Sequence, residues 1–138
     1  MVGVLLITHG KTGEALLAAA EHVLGAPQAG VCAIAVVLAD DAAAVLAGAR
    51  VKLAAIDDGS GVIVFTDVYG ATPSNIAARL IETGRVEGVA GVNVPMLVRA
   101  LTSRALPLEQ VLARSLDAGM RGQINMKEDA CHAAARGN

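Results

Sequence analysis

The sequence is poor in aromatic residues, with one phenylalanine, one tyrosine and no tryptophan among 138 residues. Because 54% of the residues are nevertheless hydrophobic, the core must be built from alanine, valine, leucine and isoleucine. These side chains bury less area each than aromatic ones do, so we expect a subunit interface to supplement the core. The length suits one domain with a core of its own.

The sequence also lacks any concentration of positive charge and any long apolar run. Its net charge is −2 and it has no basic stretch, which argues against a nucleic-acid partner. No segment approaches the roughly 20 apolar residues of a membrane-spanning helix, so we expect no direct membrane insertion. The apolar run at the N-terminus is too short for a signal peptide and has no basic residues before it.

Cysteine is scarce as well, since Cys32 and Cys131 are the two cysteines of the chain. They show no metal-ligand spacing, and a reduced, cytoplasmic setting is the simplest interpretation. Cys32 falls within a predicted strand, where we expect a small core residue. We therefore predict neither a bound metal ion nor another cofactor.

What the chain does contain is a regular alternation of apolar strands and helices. Doubly apolar strands separated by helices predict an α/β fold, with an open parallel four-stranded sheet and helices on both faces. The first and third strands are the most apolar and should be central, which gives the strand order 2-1-3-4. The predicted strands are residues 2–8, 31–38, 62–66 and 88–93, and the predicted helices are residues 12–24, 40 or 41 to 56, 72–83, 95–104 and 107 or 108 to 118.

The C-terminal part of the chain departs from this alternation. Residues 122–126 alternate enough in hydropathy for a short antiparallel edge strand. We assign residues 1–126 to the domain and residues 127–138 to a polar, alanine-rich tail that we expect to be frayed. No internal repeat or low-complexity linker divides the chain.

Polar side chains stand at the ends of the two central strands. In an open parallel sheet, ligands bind beyond the carboxyl ends of the strands, where the strand order switches. The order 2-1-3-4 places that switch between strands 1 and 3, so His9 and Asp67 should face one crevice. Asp67 can accept a hydrogen bond from one imidazole nitrogen of His9, which fixes the tautomer and leaves the other nitrogen free to attack.

The segment after the third strand is a candidate anion site. Thr72-Pro73 is typical of a helix start, because threonine can cap and proline fits the first helical position. Unpaired N–H groups at such a start bind anions, and Gly70 and Ala71 let a ligand approach the backbone closely. Gly10 leaves similar room beside the histidine. A nucleophilic histidine, an orienting carboxylate and a helix start together suit holding a phosphoryl group on a histidine.

Three motifs carry a family resemblance: Thr8-His9-Gly10, the segment 65–75 (FTDVYGATPSN) and the segment 90–97 (AGVNVPML). In their order and spacing they resemble the enzyme IIA domain of the mannose family of the bacterial phosphotransferase system. The similarity extends from the first strand to about Met126. It implies a cytoplasmic phosphocarrier, which takes a phosphoryl group from phospho-HPr onto its active-site histidine and passes the group to a IIB partner.

The resemblance also implies roles for individual residues. His9 would be the phosphorylated residue, and Asp67 matches the aspartate that pairs with the imidazole in the family. Thr72 falls where the family often has serine near the phosphoryl group. Tyr69 falls where the family often has tryptophan, and the role of this aromatic residue at the rim of the site stays open. The family forms homodimers in which a C-terminal strand pairs with the partner's sheet, and residues 122–126 match that strand.

Each of these residues also has a simpler interpretation. His9 could be a satisfied polar residue at a strand end, Asp67 a turn residue, and Thr72 no more than a helix cap. Tyr69 could be a packed or a rim aromatic. For Asn93 we favour a role in the turn before the next helix over a role in the crevice.

Proteins with other functions share parts of this sequence pattern. Thr8-His9-Gly10-Lys11-Thr12 is similar to the Arg-His-Gly-x-Thr motif of histidine phosphatases, but threonine replaces the arginine and no later histidine ends a strand. Chelatases of cobalt and iron place His-Gly after a first strand, yet they use further metal-binding side chains. The phosphocarrier subunit of dihydroxyacetone kinase shares the fold and the histidine, although the Thr72-Pro73 motif fits the mannose family better. A stand-alone regulatory IIA protein stays open, because the sequence does not separate signalling from transport.

Overall fold

The computed structural model describes residues 1–128, so most of the predicted tail, with Cys131 and His132, lies outside the described residues. Four strands and five helices lie wholly within the described part. The strands are Gly3–His9 (β1), Val31–Val36 (β2), Val62–Thr66 (β3) and Val86–Ala90 (β4). The helices are Thr12–Leu24 (α1), Ala42–Ile56 (α2), Thr72–Ala78 (α3), Val94–Thr102 (α4) and Leu108–Arg121 (α5).

The four strands form one parallel sheet in the order β2-β1-β3-β4, which confirms the predicted topology. β1 and β3 are central because both of their faces are apolar and covered, and residues 4–7 and 62–65 have no exposed surface. The register pairs His9 with Val36 of β2 and Ile7 with Thr66 of β3. The carboxyl ends of β2, β1 and β3 therefore share one edge of the sheet.

Helices cover both faces of the sheet, as predicted. α1, α4 and α5 pack on one face around Leu6, Phe65 and Leu97, and α2 and α3 pack on the other around Ile7 and Val64. Phe65 is fully buried among aliphatic neighbours. Burial of such a side chain contributes about 1.5–3 kcal/mol to the free energy of folding. Many buried side chains in the two layers together hold the strand ends in place.

A buried arginine connects the elements at the opposite edge, where the strands begin. Arg104 follows α4, and its guanidinium donates to the carbonyl oxygens of Val2 at 2.7 Å, Ala29 at 2.6 Å and Gly30 at 3.2 Å. The residue is only 4% exposed. Because Val2 precedes β1 and Ala29 and Gly30 precede β2, one side chain joins the starts of two strands to the α4–α5 connection.

The structure moves several predicted boundaries. α3 ends at Ala78 rather than at 83, because the chain tightens there and the amide of Leu80 donates to the carbonyl three residues earlier. β2 ends at Val36, two residues early, and β4 runs from Val86 to Ala90 rather than over 88–93. α5 continues past Gly119 to Arg121. A Cβ at position 119 would collide with the side chain of Met96, so this glycine permits close packing of α5 on α4 and does not end the helix.

The predicted C-terminal edge strand is not a strand in the single chain. Residues 123–125 are irregular and residues 126–128 are helical. Within the described residues, β4 pairs with β3 and makes one further isolated bridge, between Glu82 and Val86, so its outer edge is otherwise unpaired. Pairing of residues 122–126 with a second copy stays a prediction.

We predict that Arg104→Ala lowers the free energy of unfolding by about 3 kcal/mol, because buried carbonyl groups lose a charged donor. Urea unfolding followed by circular dichroism measures the change. Arg121→Ala is the control, since it removes an exposed ion pair with Asp117 and should cost less than about 1 kcal/mol. Equal losses in the two variants would contradict the structural role of Arg104.

Candidate active site

His9 ends β1, and its imidazole lies against Asp67, which directly follows β3. Nδ1 of His9 is 2.9 Å from Oδ2 of Asp67. The same oxygen accepts the backbone N–H of His9 at 3.0 Å. The imidazole is 52% exposed, whereas the carboxylate is only 18% exposed. The structure thus brings together the two side chains that the sequence predicts to share a crevice.

The electrostatics of the pair decide which imidazole nitrogen is free. Burial raises the pKa of the Asp67 carboxyl, but hydrogen bonds from the imidazole and the backbone amide of His9 lower the pKa more, so it lies below its usual value. Asp67 is therefore ionised at neutral pH and can only accept hydrogen bonds, so Nδ1 of His9 carries the hydrogen. Nε2 keeps its lone pair. Oδ1 of Asp67 accepts the amide of Val68 at 3.1 Å, which fixes the second oxygen as well.

The turn that carries His9 is held by two further hydrogen bonds. The amide of Gly10 donates to the carbonyl of Val36 at 2.9 Å, and the amide of Gly13 donates to Oγ1 of the buried Thr8 at 2.7 Å. Gly10 has a φ of +50°, in the left-handed region that glycine adopts without strain. These two hydrogen bonds therefore hold the backbone that follows His9, independently of the contact with Asp67.

The segment between β3 and α3 contains the other predicted site residues. Gly70 turns the chain with a φ of +88°, and its amide donates to Oγ of Ser74 at 3.0 Å. Ala71 occupies the N-cap position and Thr72 is the first helical residue, so the predicted capping role of Thr72 is wrong. Ser74, from inside the first turn, closes the segment instead.

These hydrogen bonds separate the four residues predicted to bind a phosphoryl group into two pairs. The amides of Gly10 and Gly70 are already paired, with Val36 and Ser74. Among residues 1–128, the amides of Ala71 and Thr72 donate to no protein acceptor. Of these four residues, Ala71 and Thr72 are therefore the two whose amides remain free to bind a ligand.

Exposed apolar side chains lie beside His9 and Asp67, and of these the sequence analysis considered only Tyr69. Val37 and Leu38 follow β2 and are 53% and 105% exposed, and Val68 and Tyr69 follow β3 and are 49% and 86% exposed. The apolar run that predicts β2 up to Leu38 leaves the sheet after Val36, and no sequence signal marks that exit. Apolar residues beyond a strand end face water unless another element covers them.

The remaining candidate residues lie outside the crevice or have structural partners. Asn93 caps α4, since its Oδ1 accepts the amide of Met96 at 2.9 Å and its Nδ2 donates to the carbonyl of Gly119 at 3.0 Å. This confirms the turn role for Asn93. His22 is exposed on α1, and Cys32 is half-buried in β2.

Two features are absent from residues 1–128. No group of three or more histidine, cysteine, aspartate or glutamate side chains in this range is placed to hold a metal ion. Nor is any helix in it long and apolar enough to cross a membrane.

Comparison with known proteins agrees with this fold. Residues 3–116 match the EIIA-man family, described as PTS system fructose IIA component. The chain is 31% identical to the PTS system mannose-specific EIIAB component of Escherichia coli (strain K12) over 137 residues, which cover 97% of this chain and 42% of that protein. The same values hold for the protein of that description from Shigella flexneri. The chain therefore spans less than half the length of these curated relatives.

Solved structures share the fold. Phosphotransferase system component EIIA from Streptococcus agalactiae aligns with a TM-score of 0.82 at 20% identity, over 93% of this chain and 99% of that one. The mannose/sorbose specific IIA subunit of the phosphotransferase system from Enterococcus faecalis aligns with a TM-score of 0.72 at 26% identity, over 90% of this chain and 93% of that one. The stretch matched by the family contains both His9 and Asp67. The chain belongs to the EIIA-man family of phosphotransferase system IIA components.

Proposed function

We propose that this chain is a phosphocarrier of a sugar phosphotransferase system in the cytoplasm, where it takes a phosphoryl group from phospho-HPr on Nε2 of His9 and passes it to a IIB component. Family membership supports the general activity. The observation that carries the assignment of residues is the hydrogen bond of 2.9 Å between Nδ1 of His9 and Oδ2 of Asp67. That bond leaves Nε2 as the nitrogen with a free lone pair.

The proposed step exchanges one phosphorus–nitrogen bond for another. The lone pair of Nε2 attacks the phosphorus in line with the bond to the donor histidine, and the donor nitrogen keeps the electron pair of the bond that breaks. No proton leaves His9, because the hydrogen on Nδ1 stays in its bond with Asp67. Since the two bonds are of the same kind, the protein has only to position the groups and stabilise charge.

Asp67 would supply the electrostatic part of this step. The imidazole gains positive charge as Nε2 bonds to phosphorus, and the carboxylate already accepts the Nδ1 hydrogen of that ring. A fixed negative charge at this position stabilises the developing cation without reorganisation. The lowered pKa of Asp67 keeps the carboxylate ionised even when the pH falls below the usual value for aspartate.

The oxygens of the phosphoryl group would bind to the start of the segment that follows Asp67. The free amides of Ala71 and Thr72 and the hydroxyl of Thr72 are donors that the described chain offers there. Gly10 and Gly70 would contribute tight turns rather than amides, because their N–H groups are already paired.

We also propose that the chain acts as a homodimer, in which residues 122–126 pair with the edge of β4 in the second copy. Ile124 and Met126 are 62% and 82% exposed in the single chain, although both are large and apolar. An open hollow of about 170 Å³, lined in part by Ile81 and Gly88, lies beside the edge of β4. A strand added at this edge would satisfy its backbone groups and place an apolar side chain against the hollow.

Phosphorylation tests the proposed function directly. Incubation with phosphoenolpyruvate, enzyme I and HPr should place one acid-labile phosphate on the chain, and His9→Ala should abolish it because the accepting nitrogen is gone. Radiolabelled phosphate or the mass of the intact protein measures the product. His22→Ala, which removes an exposed histidine on α1, is the matched control and should label normally. An acid-stable label, or a label kept in His9→Ala, would refute the proposal.

Asp67→Asn should slow phosphoryl transfer about 10²-fold while the protein stays folded. In Asp67 one oxygen accepts two bonds from His9 and the other accepts the amide of Val68. Whichever way an asparagine amide is turned, its NH2 group meets an N–H donor, and the negative charge is lost. Rapid-quench measurement of transfer from phospho-HPr gives the rate. Unchanged transfer kinetics in a folded variant would remove Asp67 from the proposed site.

Truncation tests the proposed dimer. Ending the chain after Gly122 keeps all of α5 but removes the pairing segment, so it should weaken dimerisation in sedimentation equilibrium. Ending the chain after Glu128 keeps the segment and serves as the control, with an unchanged dimer expected. A chain truncated after Gly122 that remains as tight a dimer as the control would exclude strand exchange.

A further inference from the structure

Lys11 is the only lysine or arginine in the segments that leave the sheet at the edge where His9 lies. These segments follow the four strands and comprise residues 10–11, 37–41, 67–71 and 91–93. They contain three carboxylates, those of Asp40, Asp41 and Asp67, beside the one ammonium of Lys11. A phosphoryl group on His9 would add about −1.5 to −2 charges to an edge that is already negative.

The position of Lys11 does not favour its own helix. Lys11 occupies the N-cap position of α1, and its side chain makes no capping hydrogen bond. This position usually holds Ser, Thr, Asp or Asn, whose oxygens accept the first amides of the helix. The helix dipole also places partial positive charge at this end, which disfavours a cation. An anion bound beside Lys11 would offset both disadvantages.

The ammonium of Lys11 has no partner among residues 1–128. The side chain is exposed, and it takes part in none of the ion pairs of this part of the chain. The nearby carboxylates have other donors, because Asp40 accepts the amide of Val37 at 2.8 Å and Asp67 accepts two N–H groups of His9. The N–H donors of Lys11 are therefore available to a ligand.

Lys11 can reach a group that is bound to His9. Only Gly10 separates the two residues, so their Cα atoms are at most about 7.6 Å apart, and the four-carbon stem of lysine is flexible. α1 and α3 pack on opposite faces of the sheet. The side chain would therefore approach a phosphoryl group from the side opposite to the free amides of Ala71 and Thr72.

We propose that Lys11 is the counter-ion of the phosphorylated state, in which its ammonium donates a hydrogen bond to an oxygen of the phosphoryl group on His9. This inference rests on the proposed function of His9. A hydrogen bond between two charged groups is among the stronger ones in proteins, and this one exists only while the phosphoryl group is bound. Lys11 thus stabilises the phosphorylated chain relative to the unphosphorylated chain, and it shifts the distribution of the phosphoryl group between HPr and this chain.

The equilibrium constant of the transfer separates this role from a contact with the donor protein. The constant depends only on the free energies of the separate proteins, with and without the phosphoryl group. A residue shifts it only by interacting differently with the two states of its own chain. A residue that merely contacts HPr in the complex changes how fast equilibrium is reached and leaves the equilibrium itself unchanged.

Redistribution of radiolabelled phosphate between HPr and the chain tests the counter-ion. Lys11→Met removes the charge but keeps an unbranched side chain, and it should shift the equilibrium toward phospho-HPr about threefold to fivefold, as expected of one exposed ion pair. The shift relative to wild type should shrink as salt is raised, because salt screens exposed charges. Lys11→Arg keeps the charge and should stay within about twofold of wild type.

Lys52→Met is the matched control for the loss of one positive charge. Lys52 is exposed near the end of α2, which starts at the edge of His9 and runs away from it. The equilibrium in this variant should equal that of wild type, because charges further apart than about 10 Å are largely screened at about 0.1 M salt.

The outcomes separate this inference from the function on which it rests. An unchanged equilibrium in Lys11→Met, with or without a slower approach to it, would overturn the counter-ion and leave the phosphocarrier standing. A shift as large in Lys52→Met or in Lys11→Arg would overturn it as well, because the effect would not depend on a positive charge at position 11. Failure of the wild type to accept phosphate would instead overturn the proposed function.

Discussion

One carboxylate oxygen holds both the backbone and the side chain of His9. Oδ2 of Asp67 accepts the amide of His9 at 3.0 Å and Nδ1 of its ring at 2.9 Å. The two residues are 58 positions apart in the chain, and they meet because β1 and β3 are neighbours in the sheet. The double contact fixes the direction of the ring and its tautomer together. The free Nε2, and with it the proposed phosphoryl transfer, depends on this one contact.

The rest of the fold keeps that contact in place. Aliphatic layers on both faces of the sheet fix the ends of β1 and β3, and Arg104 connects the elements at the opposite edge. The turn after β1 is held through Gly10 and Gly13, whose amides have partners outside the turn. Catalysis that depends on the position of the nucleophile needs this rigidity, because a mobile nucleophile loses its alignment with the bond that must break. The hydrogen bonds of Arg104 stabilise the end of the sheet where the strands begin, and the proposed site lies at the end where they finish.

The strand order could be predicted from the hydrophobic pattern, whereas details set by particular hydrogen bonds and turns could not. Doubly apolar strands gave the sheet order, and the sheet order placed His9 beside Asp67. Thr72 has the chemistry of a cap, but the preceding residue takes the cap position because a serine inside the helix closes the turn. Residues 122–126 alternate like a strand, yet they form none in a single chain. Leu38 belongs to an apolar run whose exit from the sheet depends on the turn that Asp40 closes, so its exposure could not be predicted from the run.

The protonation of the imidazole is the property that tests this account most directly. Long-range proton–nitrogen correlation spectra of the uniformly 15N-labelled protein at neutral to slightly basic pH distinguish the two ring nitrogens of His9. We predict that the neutral form of the ring carries its hydrogen on Nδ1 and leaves Nε2 bare, and Asp67→Ala should lose that preference. A ring that carries its hydrogen on Nε2 in the wild-type protein would contradict it, since the nitrogen proposed to attack would have no free lone pair.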